Sequence, residues 1–166
     1  MGDARLPFDP IAEARRNWER FGFPEPDAMA AVTSITRAHQ IVLRRVDEVL
    51  RPLGLTFARY EALVLLVFSS SGTLTLGRMG ERLQVHPASV TNAIDRLEAA
   101  GLVRRVAHPT DGRAVLAEIT DTGRDLVKLA TQQLGEIRFG AAGLDDAASR
   151  AVTDHLTAMR RAAGDF

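Results

Sequence analysis

The chain of 166 residues contains no cysteine. That excludes disulfides, thiol-based redox sensing and any cysteine-ligated metal site. It has no excess of either charge, with 21 basic against 21 acidic residues, so the molecule as a whole is not a polyelectrolyte partner. No apolar run approaches the roughly 18 residues that a membrane span requires. The first residues lack the basic stretch and apolar core of a secretory leader. No membrane association is expected, and the expected location is cytoplasmic.

Catalytic signatures are missing too. The four histidines, His39, His86, His108 and His155, form no pair at i, i+3 or i, i+4 and no H-E-x-x-H. There is no G-x-S-x-G elbow and no phosphate loop of the G-x-x-x-x-G-K-[ST] type. The expectation is therefore no enzyme, no cofactor and no resident metal. Scattered histidines could still meet acids from separate helices, so a zinc-responsive protein stays open as an alternative.

What is present is enough apolar residue, 46%, for the core of one domain of ordinary size. Its most informative stretch is residues 75–120. Thr75 can cap a short helix whose Leu76, Met79 and Leu83 repeat at i, i+3 and i+7. Residues 84–86 form a turn, and Pro87 opens a second helix at the position that tolerates a missing N–H. Val90, Ile94 and Leu97 face inward. The opposite face carries Ala88, Ser89, Thr91, Asn92, Asp95 and Arg96, and Gly101 ends the helix.

Small side chains and short hydrogen-bonding groups suit a helix that enters the DNA major groove, with flanking cations for phosphates. An amphipathic helix whose small residues carry no meaning has the same spacing. The following stretch narrows the choice. Residues 102–106 and 114–119 are aliphatic runs separated by the turn formers Pro109, Asp111 and Gly112, which predicts a hairpin with a long loop. Arg113 lies at its end, and Arg104 and Arg105 lie on the incoming strand. Such a hairpin reads as a wing that can push a guanidinium into a minor groove. The alternative is a surface hairpin with an incidental arginine.

These residues carry a family resemblance. The run LGRMGERLQVHPASVTNAIDRLEAAGLVRR, the wing DGRAVLAEIT with its Asp111-Gly112-Arg113, and the following DTGRDL resemble the MarR family of bacterial transcription regulators, over about residues 27–162. The resemblance implies a mainly α fold with a small β-hairpin wing, that is, a winged helix-turn-helix with flanking dimerisation helices. It implies a homodimer on double-stranded, palindromic DNA and repression relieved by a small-molecule effector, often phenolic. Activation rather than repression is the alternative. The expected DNA-binding residues are Thr75, His86, Pro87, Ala88, Ser89, Thr91, Asn92, Arg96, Arg104 and Arg113.

Charge agrees in a modest way. Residues 78–113 hold six arginines (78, 82, 96, 104, 105, 113) and four acids (81, 95, 98, 111), a net of +2, which leaves −2 elsewhere.

The chain divides into residues 1–55, an N-terminal extension and first dimerisation helix; 56–120, the DNA-binding region; and 121–166, the C-terminal dimerisation helices, all in one compact domain. In the extension, Asp9-Pro10 starts a helix with Ile11, Ala14, Trp18 and Phe21 on one face. A long helix from Asp27 to about Leu50 carries Val32, Ile35, Val42, Val46 and Val49. Thr56 caps a helix that is apolar on several sides, hence buried on several sides. Thr120 caps a helix reaching about Phe139, with Leu126, Leu129, Leu134 and Ile137 as its stripe. A last helix from about Asp145 carries Val152, Leu156 and Met159.

Terminal amphipathic helices with nothing else to cover them predict subunit association, which would set two recognition helices about 34–36 Å apart. A monomer with its terminal helices folded over the winged helix is the alternative. A small aromatic acid or phenol would fit between the dimerising helices and the winged helix, and Trp18, His39, Phe57 and Tyr60 are the candidate ligand-binding residues. The extension with its Trp resembles a urate-responsive subgroup of the family, from which Glu61 and Ala93 depart.

Overall fold

The computed structural model describes residues 6–110 and 114–166. Helix α1 (Pro10–Arg20) begins where Asp9 accepts a hydrogen bond from the Ile11 amide at 2.9 Å. It folds back on the start of α2 (Pro26–Leu50). Trp18 makes that hairpin, donating from Nε1 to the Pro24 carbonyl at 2.8 Å and meeting Phe23 edge-on at 5.0 Å. Arg15 crosses to Asp27 at 2.6 Å. Phe21 is not on the docked face as the spacing predicts: it caps the helix, stacks on Phe23 and is 66% exposed.

The α2 stripe also needs correction. Val46 and Leu50 enter the core, whereas Val32 and Ile35 are exposed. A short 3-10 turn and Gly54 lead to α3 (Phe57–Phe68), capped by Thr56. This helix sits at the centre of the molecule, against α2, the helix-turn-helix, the sheet and α6 (Asp121–Glu136). Tyr60, Ala62, Leu63 and Leu66 are all buried on it, which is why its sequence is greasy almost all round.

The wing has one strand more than the hairpin predicts. β1 (Thr73–Thr75) pairs antiparallel with β3 (Val115–Ile119), which pairs with β2 (Val103–Ala107), giving the order β1-β3-β2. Leu74 stands opposite Ala117 and Arg105 opposite Ala117 on the other side. The His108 amide closes the hairpin on the Ala114 carbonyl at 3.2 Å. Between β1 and β2 lie the two helices of the helix-turn-helix, α4 (Leu76–Leu83) and α5 (Pro87–Ala99).

A tight joint connects α5 to α6. The Leu102 amide bonds back to the Leu97 carbonyl at 2.9 Å, with Gly101 left-handed at φ 71. The Thr120 hydroxyl then lies 2.9 Å from the Gly101 carbonyl and 3.1 Å from that of Leu102, and accepts from the Gly123 amide at 3.0 Å. Gly123 is required here because a Cβ would stand 2.3 Å from the Leu102 oxygen.

The buried side of α6 is Gly123, Val127, Ala130 and Leu134. Of the predicted stripe, Leu134 is buried, Leu126 and Ile137 are half-buried, and Leu129 is exposed. The helix stops at Glu136, earlier than the pattern predicts, because Arg138, Phe139 and Gly140 all take positive φ. α7 (Asp146–Ala162) follows, capped by Asp145, and none of its residues is buried. Among the described residues no helix is long and apolar enough to cross a membrane.

Candidate nucleic-acid interface

Helix α5 is fixed by its own two faces. Val90, Ile94 and Leu97 are at most 2% exposed, locking the helix on the core. Ala88, Ser89, Thr91, Asn92 and Arg96 are all exposed on the other side. His86 is the N-cap: its Nδ1 accepts from the Ala88 amide at 3.2 Å, which makes Nε2 the protonated nitrogen of the neutral ring. Pro87 occupies the first turn. The Thr91 hydroxyl donates to the Pro87 carbonyl at 3.1 Å, so it is engaged with its own helix, while the side chains of Ser89 and Asn92 hold no hydrogen bond among the described residues. Thr75 caps α4 by accepting from the Arg78 amide at 3.2 Å and is half-buried, a structural place more than a surface one.

The arginines divide into two sets. Arg104 pairs with Glu118, its direct cross-strand neighbour, at 2.6 Å. That hydrogen bond raises the Arg104 pKa and holds the Glu118 carboxyl below the usual carboxylate range. Arg105 reaches from β2 to Asp95 and Glu98 on α5, and its backbone amide also donates to Glu98 at 3.0 Å. Asp95 stays on the exposed face where its spacing places it, but its carboxylate is engaged by Arg105. The acids at i and i+3, Asp95 and Glu98, are the signal that could have disclosed this clamp. By contrast Arg78, Arg82 and Arg96 carry no ion pair among the described residues. Arg113, the proposed wing-tip residue, lies outside the described residues.

A groove of about 720 Å³ runs between α3 and α6. Phe57 and Tyr60 line it, with Val64, Phe68, Leu83 and Phe139. Tyr60 is largely buried and its hydroxyl is 2.9 Å from Thr131 Oγ1. Glu61 borders the groove, and burial pushes its carboxyl pKa up. His39, exposed on α2, and Trp18, folded into the α1–α2 hairpin, do not line it. Among the described residues no three His, Asp or Glu side chains come together as a metal site requires.

A helix-turn-helix followed by a β-hairpin and flanked by amphipathic helices defines a winged-helix protein. The sequence profile of the MarR family matches residues 53–114. Sco5413, a MarR family transcriptional regulator from Streptomyces coelicolor, superposes with a TM-score of 0.77 at 52% identity, over 84% of this chain and 97% of that one. YhbI of Bacillus subtilis, an HTH-type transcriptional regulator, is 31% identical over 121 residues, 73% of each protein. An HTH-type transcriptional regulator of Mycobacterium tuberculosis is 39% identical over 66 residues, 40% of this chain, a stretch that spans 46% of the relative's own length. The chain belongs to the MarR family, a family of transcriptional regulators rather than enzymes.

Proposed function

We propose that the protein regulates transcription as a homodimer on palindromic double-stranded DNA, as a repressor released by a small aromatic ligand. The observation that carries the DNA reading is the exposed, uncommitted face of α5: small Ala88, free Ser89 and Asn92, and unpaired Arg96 on a helix locked from behind. Asn92 can read an adenine edge in bidentate fashion.

Association is supported by α7, which presents Val152 and Met159 to solvent with no buried residue of its own, and by Val32, Ile35 and Leu129. A second copy offers the apolar area these side chains lack. The division into dimerisation segments 1–55 and 121–166 around a DNA-binding segment 56–120 follows from that reading, with α3 acting as the shared floor.

The ligand reading rests on the α3–α6 groove. BpsR of Bordetella bronchiseptica, 26% identical with a TM-score of 0.69 over 76% of this chain, has its DNA binding regulated by 6-hydroxynicotinic acid. Here a neutral phenol suits the groove better than an aromatic acid. Glu61 borders it, and the nearby Lys128 is already paired with Asp125 at 3.1 Å.

Retardation of DNA from the protein's own promoter region tests the core of the proposal. Asn92→Ala should relax preference at particular base pairs by about 1–3 kcal/mol, and the DNA-bound species should sediment with two chains. Equal affinity of wild type and variant for every sequence would sink the assignment.

A further inference from the structure

We infer that the shallow groove between α3 and α5 seats one backbone phosphate of the bound DNA, gripped from two sides by Arg59 and Arg96. The inference rests on the DNA-binding reading above and assigns a role to a helix outside the helix-turn-helix. The groove is walled by Thr56 and Arg59 on α3 and its cap, and by Ser89, Asn92, Ala93 and Arg96 on α5. Among the described residues no acidic side chain lines it. That distinguishes it from the wing side, where Arg104 and Arg105 are each neutralised by carboxylates.

Both guanidinium groups remain available. The Arg96 side chain makes no hydrogen bond or ion pair with any described residue. Among the described residues the Arg59 side chain bonds only through Nε, which donates to the Thr56 hydroxyl at 3.2 Å, leaving both terminal nitrogens for a ligand. The same hydroxyl accepts from the Arg59 amide at 3.4 Å, so the residue that caps α3 also aims the Arg59 side chain. A guanidinium held in this way loses less freedom on pairing, and its planar fork matches two phosphate oxygens.

Ala93 matters by being small: it leaves the floor of the groove open between the two arginines. Ser89 and Asn92 share the same wall, so a phosphate seated here would fix how far α5 advances along the major groove and which bases Asn92 meets. Phosphate contacts of this kind set register and carry no sequence information themselves.

The test is the salt dependence of DNA affinity, measured by fluorescence anisotropy on the full chain with an operator fragment and an unrelated duplex. Wild type, Arg59→Gln and Arg59→Lys are compared, and their unfolding midpoints are measured alongside to confirm intact folding. Arg59→Gln should weaken both duplexes alike and lower the slope of log K against log salt by about 0.9 for each subunit bound. Arg59→Lys should keep the slope while losing part of the affinity, because an ammonium cannot grip two oxygens in a plane. An Arg59→Gln slope equal to that of the wild type overturns the inference while leaving the DNA-binding reading intact. So does a loss confined to the operator, which would mark a base contact. A wild type that binds neither duplex defeats both readings.

Discussion

Gln84, the left-handed residue that ends α4, donates its side-chain amide to Asp165, 81 residues further on, at 2.8 Å to Oδ1 and 3.0 Å to the backbone carbonyl. Asp165 is held in place by Arg160, which donates from Nε to its other carboxylate oxygen at 2.6 Å. The tail beyond α7 is thus tied to the turn of the helix-turn-helix. A double-mutant cycle of Gln84→Ala and Asp165→Ala, followed by urea unfolding, should give a coupling of about 0.5–1.5 kcal/mol. Strict additivity would show that the tie contributes nothing.

Two glycines of α6 should respond to alanine in opposite ways. At Gly123 the new Cβ would collide with the Leu102 carbonyl oxygen and approach Ile119 to 2.9 Å, with backbone on one side that cannot move cheaply. Overpacking of this kind costs about 1–3 kcal/mol. At Gly135 nothing lies within 4 Å, so alanine should stabilise the helix by about 0.5–1 kcal/mol. Urea midpoints of the two variants check both signs.

Much of the central region was legible because its signals are local. Thr75, Pro87 and Thr120 mark helix starts by side-chain chemistry alone, and Val90, Ile94 and Leu97 need only a period of 3.6. β1 was not legible: three residues carry no periodicity, and the strand exists only because β3 returns from more than forty positions away to pair with it. The i, i+3 acids Asp95 and Glu98 signal a cationic partner, but spacing alone does not say that it is Arg105, since this depends on how β2 leaves Gly101. Phe57 and Tyr60 share a groove because they lie on one helix. Side-chain chemistry groups Trp18 and His39 with them, but Trp18 is drawn to its own turn by the Pro24 carbonyl, and His39 sits on a stretch of α2 that faces solvent.

That placement of the only tryptophan gives a prediction for the effector. A phenol that occupies the α3–α6 groove should release DNA, as followed by anisotropy of a labelled duplex, while leaving Trp18 emission unmoved. Trp18 quenching that tracks DNA release would instead put the ligand at the α1–α2 hairpin.

Acid titration should separate two glutamates. Glu118 has its pKa lowered, chiefly by the Arg104 hydrogen bond. The folded state therefore binds fewer protons there than the unfolded chain, and the stabilisation is complete above the unfolded pKa and lost as pH falls through the folded one. Glu61 has its pKa raised by burial. The folded state holds its proton longer, so stability falls as pH rises from the ordinary carboxylate value to the raised one. Urea midpoints between about pH 3 and pH 6 should show Glu118→Gln flattening the loss of stability on acidification and Glu61→Gln steepening it. Both variants moving in the same direction would contradict these environments.

The Thr120–Gly123 joint has a mechanical consequence. With a Thr hydroxyl against two carbonyls and no Cβ between α6 and Leu102, there is no slack at the point where the recognition helix hands over to α6. The 16 residues of α6 then form an arm of about 24 Å. A displacement of about 2 Å at its far end, where Arg138, Phe139 and Gly140 turn the chain, corresponds to a swing of about 5° at the joint. At the elbow such a swing meets α5 only through Gly101 and Leu102, while the buried Val90, Ile94 and Leu97 hold the rest of that helix to the core.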